Sequence, residues 1–353
     1  MRVLFVCGSF LPDRCGVADY LWHLVAALAL REETSVAVLS AAEIQTELPA
    51  SVGSFSPGRA VRLADVTKAI RRFRPDIVHV QYPAIRNLPR LMPLVASRVM
   101  RVPVVQTWHE HYAESEQLSW TNLLGLDGLI YVREDFLRRL PPGIEKRVAR
   151  IPSDYIPNGS TIPAVTLTDE SRRNIRERIC GGKQLVAFFG FINPNKGVEN
   201  LFEIVDPATQ HILLIGDLDT ATPYRRSLWQ LIDSERWRIR VTVTGFLPAA
   251  RTGELLAASD AVVFPFPTGM GRWNTSVQAA LASGSFVLGT STTVSSSEYD
   301  ETLNQCLVPC RDLIALRNSL NEHIGRRREP DPADPWRQIA DAHLQLYGKV
   351  LAK

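Results

Sequence analysis

Phe264-Pro-Phe-Pro-Thr-Gly-Met-Gly-Arg272-Trp-Asn-Thr-Ser-Val-Gln278-Ala-Ala-Leu-Ala-Ser-Gly284 holds three structural signals in one run. The apolar residues Ala261–Phe264 at its start predict a buried strand. Gly269 and Gly271 predict a loop. Asn274, Thr275 and Ser276 then open a helix predicted over 275–283. The free N–H groups and hydroxyls at such a helix start form an anion nest, and Arg272 adds charge beside it. Thr275-x-x-Gln278 also fits a capping box, which is the purely structural alternative for Gln278. Strand, glycine loop and helix in this order make up the repeating unit of a parallel α/β sheet.

The same unit recurs outward in both directions. In the second half, strands are predicted at Leu185–Phe189, Ile212–Ile215, Val241–Thr244 and Phe286–Leu288, with helices at about 197–204, 222–233, 251–258 and 311–323. In the first half, strands are predicted at Val3–Cys7, Ser35–Leu39, Ile77–Gln81, Val102–Thr107, Leu129–Val132 and near Arg150. The clearest helix starts near Val17, with Val17, Tyr20, Leu21, Leu24, Val25 and Leu28 on one face. Continuous apolar strands imply sheets covered on both sides. Between the halves, 157–183 reads as a joint, with Pro157, Asn158, Gly159 and Pro163, then a polar helix, then Gly181-Gly182. Asp334–Leu351 is a separate amphipathic helix, capped by Asp334 with Pro335 in its first turn. Its apolar side is Trp336, Ile339, Ala340, His343, Leu346, Tyr347 and Val350. The expected domains are 1–160, 161–330 and a final helical segment, 331–353, packing on the first domain.

Composition narrows the class. A chain of 353 residues suits two domains better than one. With 45% apolar and 22% charged residues it is a globular chain, not a disordered one. A net charge of +3 gives no basic stripe, so no nucleic-acid partner is expected. The cysteines, 7, 15, 180, 306 and 310, are odd in number and do not form a disulfide framework. Cys306-x-x-x-Cys310 resembles half a metal site, but no second pair accompanies it. Reduced cysteines of a cytoplasmic enzyme are the simpler reading. The opening MRVLFVCGSF is far shorter than the ~20 residues of a membrane span and reads as a first strand. The expected location is cytoplasmic, with membrane contact at most peripheral, at the inner face. The run Arg86–Arg101 is the stretch that would touch a membrane or line an acceptor cleft, and an ordinary amphipathic helix explains it equally well.

Further candidate sites fall at strand ends, where open α/β sheets bind ligands. Strand 3–7 runs into a loop from Gly8 to Gly16 that opens a helix bearing Asp19. It is not a dinucleotide fingerprint, because no G-x-G-x-x-G is present, and this disfavours a Rossmann dehydrogenase. The strand ending at Thr107 continues into Trp108-His109-Glu110-His111. His109 and His111, two residues apart beside a carboxylate, invite a metal reading. No third ligand follows, and the preferred role for His109 is substrate contact. In the second half, Gly190-Phe-Ile-Asn193-Pro-Asn-Lys196-Gly197 places a lysine at a predicted helix start. There it fits the dipole badly unless it holds a phosphate.

Together these pieces resemble glycosyltransferase family 4. Gly16-Val-Ala-Asp19-Tyr20 resembles its N-terminal glycine loop, and Pro75-Asp-Ile-Val-His-Val-Gln81 its central first-domain strand. Thr107-Trp-His109 resembles its sugar-contacting histidine segment, and Ile156-Pro-Asn-Gly159 its hinge entry. Gly190 through Gly197 resembles its phosphate–lysine loop. Ile215-Gly216-Asp217 and Gly245-Phe246-Leu-Pro248 resemble the strands flanking the nucleotide base, and Ala258 through Gly284 the donor loop and helix. The resemblance implies a GT-B fold, in which two Rossmann-like parallel-sheet domains face a central cleft and the C-terminal helix crosses back to the first domain. It implies a retaining hexosyltransferase-type enzyme that needs no bound metal and no cofactor. The donor is a nucleoside-diphosphate sugar, with UDP as the default base and GDP next. The acceptor is a glycan, a lipid-linked glycan or a small molecule. The residues carried over as catalytic are His109, Lys196 and Asp19. Those carried over as donor-binding are Gly16, Gly190, Asn193, Lys196, Gly216, Gly245, Phe246, Gly271, Arg272, Asn274, Thr275, Ser276 and Gln278. Two departures stand out. The family's paired glutamates fall at Met270 and Gln278, and its phosphate-loop arginine at Phe191. An inverting enzyme would instead need a base among Asp19, His109 and Glu110. A non-catalytic nucleotide-sugar binder and a sugar-nucleotide epimerase of the same fold are the alternatives.

Overall fold

The computed structural model describes residues 1–353 apart from 14, 42, 43, 45–47, 50, 84, 85, 116 and 117. It divides into two compact units, Met1–Gly159 with Asp334–Lys353, and Ser160–Ala333. Each unit is built on one seven-stranded sheet.

In the first unit the strands are β1 (Arg2–Cys7), β2 (Ser35–Ser40), β3 (Gly53–Phe55), β4 (Ile77–Tyr82), β5 (Val104–Trp108), β6 (Gly128–Tyr131) and β7 (Ser153–Tyr155). All pairings are parallel, in the order β3-β2-β1-β4-β5-β6-β7. Alternation along the strands sends side chains to two cores. Leu4 and Val6 pack with Val78, Val80, Val104 and Trp108 on one face. Val3, Phe5 and Cys7 pack with Val36, Ile77, Val105 and Ile130 on the other. The second core also receives Leu21, Leu24 and Leu28 from the helix Gly16–Ala29, and Trp336, Ile339, Leu346 and Val350 from the helix Pro335–Leu351. Asp334 accepts a hydrogen bond from Trp336 N at the start of that last helix.

The second unit holds β8 (Gln184–Phe189), β9 (Gln210–Ile215), β10 (Val241–Val243), β11 (Ala261–Phe264), β12 (Phe286–Ser291), β13 (Glu298–Asp300) and β14 (Gln305–Pro309). Their order is β10-β9-β8-β11-β12-β14-β13, parallel except for the final antiparallel pair. One core, from Ile175 to Leu320, fills both faces.

Several expectations need correction. The strand expected near Arg150 is Ser153–Tyr155, and β3, β13 and β14 were not expected at all. The helix expected over 197–204 is regular only at Leu201–Ile204. Gly197, at φ 61°, breaks the path into tight turns on either side. The amphipathic helix considered for 86–101 is one turn, Met92–Leu94, widening into a π turn over Val95–Val99. The polar helix expected within 157–183 is Asp169–Cys180, capped by Thr168. A Cβ on Gly253 would also lie 2.5 Å from Pro163 O, so the chain before that helix is packed onto the helix Ala249–Ala258. Among the described residues no helix is long and apolar enough to cross a membrane.

Candidate active site

In the second unit, the ends of β8 and β9 and the helix Thr275–Ala282 converge on backbone. A Cβ built on Gly216 would lie 2.4 Å from Gly190 O, and one on Gly190 would lie 3.6 Å from Ser276 Cβ and Oγ. Position 216 has no room for a side chain, and Gly190, at φ 134°, holds a backbone conformation that side chains disfavour. The helix Thr275–Ala282 therefore starts beside both strand ends. Asn274 is its N-cap residue, but the Asn274 side chain accepts from Gly271 N (3.0 Å) and makes no cap hydrogen bond. The Thr275–Gln278 capping box does not form. Gln278 Nε2 instead donates to Arg272 O (3.2 Å), which ties the helix to its loop. The first-turn N–H groups are thus not taken by the cap side chain, the condition for anion binding at a helix N-terminus.

Lys196 closes a tight turn, Pro194–Lys196, that follows Asn193. A Cβ on Gly197 would lie 2.4 Å from Pro265 O, so the lysine loop is pressed against the stretch leaving β11. Lys196 Nζ stands 4.2 Å from the centre of the Phe266 ring, a cation–π contact that orients the ammonium. Sequence reasoning missed Phe266. The run Phe264-Pro-Phe266-Pro was read only as strand end and loop. Beyond β10, Phe246 follows Gly245, which sits at φ 68°. Phe246 is 44% exposed, and its ring meets that of Phe191, 39% exposed, at 6.0 Å. Arg272 is exposed. Trp273 folds back so that a Cβ on Gly271 would strike its ring, which explains the glycine there. Met270 is a core residue. It is 8% exposed, and a Cβ on Gly289 would lie 2.2 Å from its Sδ.

In the first unit, Gly16 opens its helix with nothing within 4 Å of where a Cβ would be, so open space rather than close packing surrounds it. Asp19 lies in the first turn, and burial raises its carboxyl above the ordinary range. His109 follows β5. Its Nε2 is 2.8 Å from Gln81 Oε1, and its ring meets Tyr20 edge-on at 4.8 Å. Burial, then the neighbouring His343, lowers its pKa to about 3. His111 has other partners than His109. The chain turns after Trp108, and His111 stacks on Phe136 at 6.0 Å with Nε2 3.2 Å from Asp135. Among the described residues no group of three or more His, Cys, Asp or Glu is placed to hold a metal ion.

Behind His109 lie His79 and His343, both fully buried and both held neutral mainly by burial, His343 with a pKa lowered to about 4. A histidine whose folded pKa is lowered binds its proton first in the unfolded chain. Stability is therefore full above about pH 6.5 and is lost as pH falls toward the folded values, by about 1.4 kcal/mol per pH unit for each such group. Urea unfolding of the protein at pH 7 and pH 5 is expected to show a clearly lower midpoint at pH 5. Equal midpoints would contradict the burial of these rings.

Two Rossmann-like parallel sheets in tandem, with strand-end loops and a helix start gathered as above, are the fold class of GT-B glycosyltransferases. Residues 183–325, within the second unit, match the family model described as glycosyl transferases group 1. No curated protein matches the chain in sequence. Among solved structures, sucrose-phosphate synthase from Thermosynechococcus elongatus is similar at 18% identity and a TM-score of 0.69, covering 100% of this chain and 94% of its own. The Anabaena protein HepE, in complex with UDP and glucose, is similar at 18% identity and 0.67, covering 100% and 96%. UDP-GlcNAc 2-epimerase from Neisseria meningitidis, bound to UDP-GlcNAc, is similar at 13% identity and 0.59, covering 99% and 100%. The family match in the second unit supports a glycosyltransferase, and the solved structures share the fold.

Proposed function

We propose that the protein transfers a hexose from a nucleoside-diphosphate sugar held in the second unit, with retention and without a bound metal. The uncapped start of the Thr275–Ala282 helix, beside the bare backbone of Gly190, carries this reading, because no cap side chain takes its first-turn N–H groups. Lys196 and the exposed Arg272 supply positive charge for the diphosphate as it leaves. Phe246, with Phe191 against it, offers a stacking surface for the base. On the acceptor side we assign His109, a neutral ring, to a sugar hydroxyl. HepE is described with UDP and glucose, which makes UDP the first base to try.

Calorimetric titration with UDP, GDP, ADP and TDP, with and without chelator, tests this. One diphosphate is expected to bind with a Kd on the order of micromolar, unaffected by chelator. Phe246→Ala should weaken it by about tenfold, within the range of ~1–3 kcal/mol for a stacked base. Silence with all four would move a non-catalytic role to the front. The burial of Met270, where the family carries a carboxylate, is what favours that second reading, and turnover with any donor would remove it.

A further inference from the structure

A line of buried polar side chains runs from His109 through the sheet into the C-terminal helix. His109 Nε2 lies 2.8 Å from Gln81 Oε1, and Gln81 Nε2 lies 3.3 Å from His79 Nε2. The same His79 nitrogen is 2.7 Å from Thr107 Oγ1, and the Tyr347 hydroxyl is bonded to His79 Nδ1. Gln81 and His79 expose no surface, so their hydrogen bonds must be met inside the protein. An amide oxygen only accepts, and an amide nitrogen only donates. With Gln81 Oε1 toward His109, that ring must carry its proton on Nε2. With Gln81 Nε2 toward His79, that ring must accept at Nε2 and carry its proton on Nδ1, facing Tyr347. His343 is fixed in the same way. Its Nδ1 donates to Ile339 O (2.7 Å), and Tyr20 donates to its Nε2 (3.2 Å), leaving Tyr20 as a neutral edge against His109.

We infer that Gln81, backed by His79 and Tyr347, is a positioning residue that fixes His109 as the Nε2–H tautomer, so that Nδ1 accepts a hydrogen bond from a ligand hydroxyl. The ring then contributes a lone pair and no positive charge, which suits a sugar and not a phosphate. The ligand half of this inference rests on the proposed reading of His109.

Nitrogen-15 NMR of the full chain with labelled histidine tests it, since the two ring nitrogens report the tautomer directly. Wild-type His109 is expected to be protonated on Nε2. Gln81→Leu should turn it into a mixture. Gln81→Glu keeps an oxygen toward His109 and should preserve its Nε2–H while moving the His79 proton from Nδ1 to Nε2. A wild-type His109 protonated on Nδ1, or an unchanged spectrum in Gln81→Leu, overturns the relay. If the leucine variant does not fold, an unmoved His79 proton in Gln81→Glu overturns it. Adding glucose, as a plain sugar hydroxyl, to wild type should then shift His109 Nδ1. No shift there overturns the hydroxyl recognition while leaving the tautomer result standing, so the two failures are distinguishable.

Discussion

Lys196→Ala is expected to lower kcat/KM by about 10²–10³-fold while the protein stays folded. The diphosphate gains charge as the glycosidic bond breaks, and removing one group aimed at developing charge costs roughly 2.7–4 kcal/mol in other enzymes. The structural loss is much smaller. The contact of the Lys196 ammonium with the Phe266 ring is worth about 0.5–1 kcal/mol at an accessible site, against a total stability of roughly 5–15 kcal/mol. Kinetics and thermal melting on one preparation separate the two effects. A fall in kcat with little change in KM would place the lysine on the leaving group, and a rise in KM alone would place it on ground-state binding. Wild-type turnover would remove Lys196 from the site.

Met270→Glu, which restores the family's carboxylate, is expected to damage the protein rather than improve it. The Met270 side chain is packed in the core with its sulfur against the bare face of Gly289. Burying an unpaired carboxylate there costs several kcal/mol, on the order of the 3–5 kcal/mol seen when a buried charge loses its partner. At about 2–4 °C per kcal/mol for a unit of this size, Tm should drop by roughly 10 °C or more. A variant with an unchanged Tm and tighter UDP-sugar binding would show that residue 270 swings out to the ligand. The donor site would then be nearer the family's pattern than the packing implies.

The long apolar strands were legible because nothing else explains a run such as Val3–Cys7 or Ala261–Phe264. Gly53–Phe55 has no such run, and Gln305–Pro309 has only Cys306, Leu307 and Val308 between polar or proline ends. In the candidate site, glycines with a neighbouring lysine or arginine could be picked out because their chemistry is local. Phe266 under Lys196 could not, since a phenylalanine at a strand end reads as core. The relay behind His109 was out of reach for a different reason. His79 and Tyr347 are 268 positions apart, and no period or spacing connects them. Met270 shows the converse. Its departure from the family was plain in the sequence, but only the packing against Gly289 shows that the position is apolar interior.

The chain leaves the first unit at Gly159, makes the whole of the second, and returns at Asp334. During synthesis the second unit is therefore contiguous and can close while the last helix is still inside the ribosome. The first unit must wait. Until the final turns emerge, Phe5, Leu24 and Ile130 face water where Trp336, Ile339 and Val350 will lie, and His79 lacks the tyrosine that completes its bonding. A truncation within Pro335–Leu351 would thus strike the unit whose sheet is translated before the second unit's.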